Sequence, residues 1–319
     1  MGITAAFLRL AAALLSSAAA TSVAVSAGIR DGLVFPLDSP PDPSPGGNAG
    51  VVFASAGGGR SDVVGGTVKN ADSSSGLPSL VSVSPDELGP PGEYGWDFSS
   101  AAAYLSVDRS DAVGDNAAWD VLSYLGDPTS TPGVSFAAWV KLTYSKSSGL
   151  HTFTRLAGLD DVLDVSVGYA GDVGVLDFRL GPGSGGPSVK TPGTSENGVL
   201  DGNWHHVALV ADFAISVDNV RLYVDGQLAA GVSFDFSAIN TSMGTKAGKT
   251  LHVGARLNGG NSWLGSVADF AAFAVPLTHG EVLEAFVEGA ASLLPPPPPP
   301  PSAEPESVSS VSSVSSVSS

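Results

Sequence analysis

The sequence predicts an all-β fold, a two-sheet antiparallel β-sandwich with one short C-terminal helix. Three observations carry this. Glycine and proline, 40 and 23 of 319 residues, make a chain rich in turns, though below the roughly 25–30% that marks wholly disordered sequences. Short apolar-alternating runs are separated by Gly, Pro, Asn and Asp clusters, the pattern of a β-sandwich or barrel. Only one stretch carries a convincing helical pattern. The length allows about two domains at roughly 150 residues each, but all-β folds often use about 200–250 for one.

The ends of the chain read as separate from the domain. Residues 1–27 have the form of a secretory signal: Arg9, then the apolar run Leu10 to Leu15, then the small residues Val25, Ser26 and Ala27 before cleavage. Ser16 and Ser17 break the apolar run, which is too short for a membrane span. The alternative is an uncleaved anchor. At the other end, Pro295 to Pro301 favour a stiff polyproline II spacer, and the Val-Ser-Ser repeat after it has too few large side chains for a core. Residues 291–319 are therefore expected to be a Pro-rich spacer and a disordered tail. The domain itself is assigned to 28–290.

Within it, Leu163, Val165, Val167 and Tyr169 share one strand face, with Asp164 and Ser166 between them. Leu176, Phe178 and Leu180 repeat the pattern with Asp177 and Arg179 outward, and Val220, Leu222 and Val224 do so opposite Arg221 and Tyr223. Asp225-Gly226 follows as a two-residue hairpin signal, since both positions tolerate positive φ. The return strand is Gln227 to Val232. Val134 to Leu142 and Trp204 to Ala211 are apolar on both faces, which suits inner strands covered on both sides. Thr278 with Glu281 forms a capping box, and Val282, Leu283, Phe286 and Val287 give the following helix an apolar stripe. The helix is expected to plug one edge of the sandwich, and Trp139 and Trp204 to seal its interior.

In order, these pieces resemble a laminin-G-like jelly roll of the concanavalin A-like lectin/glucanase superfamily. Gly32 to Asp38 resembles the family's opening strand, and Tyr94 to Val107 its next segment, with Ser99 and Ala102 in place of the usual acidic and glycine positions. Phe136, Ala138, Trp139, Val140 and Lys141 match a further strand. The most specific stretch is Asp201 to Ala208 (DGNWHHVA) followed by Val220 to Gly226 (VRLYVDG), and the last runs from Leu251 through Asp269 and Phe270 to Thr278. The resemblance implies a jelly roll with long loops, and a superfamily that includes sugar-cleaving enzymes as well as binding modules.

The residues narrow that choice. Glycosidases usually set two carboxylates across the bond, and laminarinase-type members carry Glu-x-Asp-x-Glu on one strand. No such run exists here. Asp160, Asp161 and Asp164 remain as aspartate candidates, read more simply as solvated charges. No catalytic residue is assigned. His205 and His206 are adjacent on a strand, point to opposite faces and do not chelate one ion together. Zero cysteine removes disulfide scaffolds and thiolate metal sites. A net charge of −17 argues against nucleic acid and anionic membranes as partners.

Asp269 lies in an otherwise apolar strand, where an unpaired carboxylate is costly. The superfamily resemblance implies a structural calcium there, held also near Trp96 and Asp97; a salt bridge or backbone hydrogen bonds are the alternative. Trp263, beside Asn261, is either a sugar-stacking platform or a cover for the sandwich edge. Asn240 begins a glycosylation sequon. The leading expectation is a secreted, non-catalytic module that binds an extracellular glycan or protein; the alternatives are a hydrolase using aspartates or a structural wall or matrix component.

Overall fold

The computed structural model describes residues 32–35, 37, 50–52, 65–70, 78–84, 87–99, 103–107, 132–143, 155–159, 163–170, 173–180, 188–191, 199–236, 251–255, 263–273 and 275–293. Residues 1–27, read above as a signal segment, most of the tail, Asp160, Asp161, Asn240 and Asn261 lie outside them.

The strands run β1 (Gly32–Phe35), β2 (Gly50–Val52), β3 (Gly65–Asn70), β4 (Ser79–Ser82), β5 (Tyr94–Asp97), β6 (Ala103–Val107), β7 (Gly133–Thr143) and β8 (Arg155–Leu159). They continue as β9 (Leu163–Ala170), β10 (Val173–Leu180), β11 (Ser188–Lys190), β12 (Asp201–Asp212), β13 (Val220–Val224), β14 (Gln227–Val232), β15 (Leu251–Val253) and β16 (Ser266–Phe273). Helix α1 (His279–Glu288) and a 3-10 turn (Ala290–Leu293) close the described chain. The first sheet has the order β14-β13-β12-β7-β16-β5-β4, with β1 also on β16; the second is β11-β10-β9-β8-β15-β6-β3-β2. Every pairing is antiparallel.

Strand alternation sorts the apolar residues into two layers. Val134, Phe136, Ala138, Val140 and Leu142 of β7 and Val207, Leu209 and Ala211 of β12 turn inward, where they join Val165, Leu176, Phe178, Leu180, Leu251 and Val253 of the second sheet in one core. Trp96 and Trp263 lie in that core, both 0% exposed. Trp139 and Trp204 are equally buried but lie on the other side of the first sheet, packed with Ala268 and Phe286. This corrects the expectation that they seal the space between the sheets.

The cover over that outer face is α1. Val282 and Ala285 pack on Ala137, Ala208, Val210, Tyr223, Ala271 and Phe273, and Phe286 stacks on Trp139 at 5.4 Å. A ten-residue helix is too short to be stable alone in water, so this packing is what holds it. The helix therefore lies across a sheet face rather than plugging an edge. The two central strands need an apolar residue at nearly every position because each face meets a packed layer. The capping box forms as the sequence predicts: Thr278 Oγ1 accepts from the Glu281 amide at 3.3 Å, and the Thr278 amide donates to Glu281 Oε2 at 2.7 Å.

The Asp225-Gly226 turn also forms, with φ of +49° and +76°. A Cβ on Gly226 would lie 2.9 Å from Leu283 Cδ1, so this turn needs glycine twice: for its backbone and for the seat of the helix. Buried Ser135 ties the same layer together, donating to the Val275 carbonyl at 2.8 Å and accepting from the Leu277 amide at 2.9 Å. Among the described residues no helix is long and apolar enough to cross a membrane.

Candidate functional site

With α1 closing one sheet, the polar face lies on the other. The inward residues of the second sheet leave Ser106, His252, Gly158, Asp164, Arg179 and Ser188 on its other face, where Ser106, His252 and Gly158 are buried, Asp164 is half-buried, and Arg179 and Ser188 are exposed. The register aligns them: Ser106 pairs His252, His252 pairs Gly158, Gly158 pairs Asp164, Asp164 pairs Arg179 and Arg179 pairs Ser188. One row thus crosses six strands with hydroxyl, imidazole, carboxylate and guanidinium groups.

A second row, Arg155, Ser166, Asp177 and Lys190, lies beside it. The charges are cross-braced. Arg155 pairs with Asp164 at 2.5 Å. Asp177, 2% exposed, accepts from Arg179 Nη2 at 2.7 Å and Nε at 3.1 Å, and from Ser188 Oγ at 2.6 Å. A buried carboxylate needs such donors to offset its lost hydration. The bracing fixes Arg179, whose side chain stays 45% exposed, as a rigid outward guanidinium with N–H donors to spare. His252 lies over Gly158, where a Cβ would meet its Nε2 at 2.6 Å; only glycine admits the ring there. Among the described residues, Asp164 and Asp177 of this face both hold arginines, an arrangement suited to fixing donors in place.

The paired histidines have separate roles. His205 is clamped by Asp225 Oδ2 on Nδ1 at 2.8 Å and by Asp201 Oδ1 on Nε2 at 3.3 Å. Burial of the ring opposes its charged form, but the two aspartates outweigh it and hold the pKa above its ordinary value. His206, on the opposite face, is buried beside Trp139 and Phe286, with ring centroids 5.5 and 5.9 Å away. Desolvation pushes its pKa down to about 4, against a weak pull from Asp225. Their opposite orientations follow the sequence reading, which assigned neither a role in metal binding.

The metal and sugar candidates fall differently. Asp269 sits at a bulge in β16 with φ +47°, and its Oδ2 accepts the Ala290 amide at 2.7 Å, tying the strand to the 3-10 turn. Both Asp97 oxygens take donors from Ser99, at 3.0 Å from its amide and 2.7 Å from its hydroxyl. Calcium requires about six to eight oxygens, and among the described residues no group of three or more His, Cys, Asp or Glu side chains suits a metal ion. The backbone hydrogen bond of Asp269 is the alternative that the sequence reading set beside calcium. Trp263 has no exposed ring face, so the sugar-platform reading is corrected: it is a core residue between the sheets. Its predicted neighbour Asn261 lies outside the described residues.

The sequence reading placed Asp177 and Arg179 outward but attached no role to them. The available signal was the charge alternation Asp177-x-Arg179; their partners Ser188 and Asp164 required the strand order.

Residues 115–283, more than half of the chain, match the laminin G family of the concanavalin A-like lectin/glucanases superfamily. Usherin of Mus musculus is 32% identical over 99 residues, 31% of this chain and 2% of usherin's own length. Among solved structures, the binding domain of Paraclostridial Mosquitocidal Protein 1 has a TM-score of 0.48 at 12% identity, over 81% of this chain and 52% of that one. The binding domain of botulinum neurotoxin DC in complex with rat synaptotagmin II has a TM-score of 0.41 at 14% identity, over 70% and 47%. The chain spans about half the length of these two domains. The two-layered strands and the sequence match agree: this chain belongs to the laminin G family of the concanavalin A-like lectin/glucanases superfamily.

Proposed function

We propose that the chain is a secreted, non-catalytic binding module that engages an extracellular glycan or protein surface through the outer face of its second sheet. One observation carries this reading: the braced Asp177–Arg179–Ser188 group presents a fixed guanidinium on that face, while α1 covers the outer face of the first sheet. A guanidinium held by its own carboxylate does not reorganise on binding, which lowers the entropic cost of recognition. The signal-like residues 1–27 support secretion.

The test is a glycan array with a panel of extracellular-matrix proteins, run beside an assay for reducing ends released from polysaccharides. Binding without product, lost in Arg179→Ala and retained in Lys141→Ala on the other sheet, is the expected result. Released product would instead favour a hydrolase, and silence in both assays would leave a structural wall or matrix role. Either outcome overturns the proposal.

A further inference from the structure

A cavity of about 360 Å³ opens at the far edge of the first sheet, away from the polar face just described. Its floor is the end of β4 and its continuation at Ser82, Val83 and Ser84; its walls are Glu87, Pro90, Pro91, Glu93 and Tyr94 from the connection to β5. The volume lies in the range of sites that take a small molecule or a single side chain, about 300–1,000 Å³. Three features describe what fits.

First, β4 ends the strand order of its sheet, and among the described residues no strand pairs with its outer side. An unpaired edge is a template for another extended chain. Second, the wall is apolar in flat pieces: the Tyr94 ring, 37% exposed, and the two adjacent prolines. Such surfaces suit an aliphatic stem or a planar cation. Third, the charged lining is entirely anionic. Glu87 is held by Lys141 at 3.2 Å, which itself lies 6.0 Å from the Trp204 ring centre. Among the described residues no cation pairs with the exposed Glu93 carboxylate. The chain around it carries a net charge of −17, a field that repels anionic ligands and draws in basic ones.

We infer that this cavity is a socket for an arginine or lysine side chain of an extended segment from a partner protein, which adds to the sheet along β4. Backbone pairing on the edge supplies affinity. The stem lies along Tyr94 and the prolines, and the charged end meets Glu93. Edge, aromatic wall and unpaired carboxylate are each unremarkable alone, but they converge at the end of one strand.

The experiment uses the full chain and a blocked valine-threonine hexapeptide with one central arginine, titrated by calorimetry. Matched peptides carry glutamine at that position, or N-methyl groups along one backbone edge. Saturable binding of the arginine peptide is expected, weakened about tenfold or more by the glutamine exchange, by N-methylation and by raised salt. Glu93→Gln and Tyr94→Ala, both exposed positions, should each reduce affinity severalfold with the melting temperature unchanged. Equal binding of arginine and glutamine peptides overturns the socket. Failure of the arginine peptide to bind does the same, and so does saturable binding of a free monosaccharide that Tyr94→Ala abolishes. None of these results alters the reading of the second sheet, which Arg179→Ala tests separately.

Discussion

Substituting Asp225 probes how the signature stretches of this sequence cooperate. The residue sits at φ +49°, accepts the His206 amide at 2.9 Å through Oδ1, and grips His205 Nδ1 at 2.8 Å through Oδ2. In Asp225→Ala the half-buried amide loses its acceptor, which costs about 1–3 kcal/mol, and the charge-assisted bond to His205 is worth about 1.5–3 kcal/mol while the ring is protonated. Alanine in the left-handed region adds about 1 kcal/mol relative to aspartate. The total is about 3.5–7 kcal/mol near pH 6, a large share of the roughly 5–15 kcal/mol that stabilises a domain.

Asp225→Gly removes the same two bonds without the backbone strain, and Asp225→Asn keeps both the amide acceptor and tolerance of positive φ. Stability in urea should therefore fall in the order wild type, Asn, Gly, Ala. The pH dependence separates the ion pair from the rest. Because the His205 pKa is raised on folding, its contribution is complete below the unfolded value of about 6.5 and is lost as pH rises through the folded value. Wild type should thus lose this contribution as pH rises above about 6.5 and through the folded value, and Asp225→Asn should lose less of it. Wild-type stability in Asp225→Ala, or equal stability of the Gly and Ala variants, would refute the reasoning.

Three further outcomes follow from the same geometry. His206 works in the opposite direction: with its pKa lowered to about 4, folding loses about 1.4 kcal/mol per pH unit as pH falls from about 6.5 to about 4, a total near 3 kcal/mol. His206→Phe, which keeps the aromatic contacts with Trp139 and Phe286, should flatten that acid limb in a urea series; an unchanged limb would assign it elsewhere. Ser135→Ala strands a buried carbonyl and a buried amide and should cost about 2–4 kcal/mol by chemical unfolding, whereas a loss below about 0.5 kcal/mol would mean that other groups take over both bonds. Because Asp269 is held by the Ala290 amide, calcium or a chelator should leave the melting temperature unchanged in calorimetry, while Asp269→Ala lowers it. A rise of several degrees with calcium would instead show a metal site.

What was legible in the sequence was what is local. The Thr278 capping box and the Asp225-Gly226 turn each form within a few residues of chain, so their signals survive without knowledge of the fold. Alternation likewise told which residues of β10 point inward, because only one of its faces is apolar. It failed at Trp139 and Trp204, whose strands are apolar on both faces; nothing in VSFAAWVKL says which set meets a sheet and which meets a helix. For Asp269 the sequence set calcium beside a salt bridge or backbone hydrogen bonds, because its apolar neighbours are visible in sequence and the amide 21 residues later that it accepts from is not. Trp263 followed the same course: flanking Asn261 and Ser262 suggested an exposed position, but the chain turns the ring into the core. The polar row on the second sheet draws on strands distant in sequence and emerges only from their order.

The placement of α1 limits where this module tolerates a fusion junction or a proteolytic nick. Separation upstream of Leu277 strips Leu277, Val282, Ala285 and Phe286 from the aromatic and aliphatic surface they shield, leaving a sticky plane of the kind that drives clumping during expression. Fragments trimmed upstream of the helix should accumulate in inclusion bodies, whereas cargo appended beyond Leu293 leaves the shield in place. A boundary drawn at the last residue of the family match, 283, would fall on the wrong side of that line.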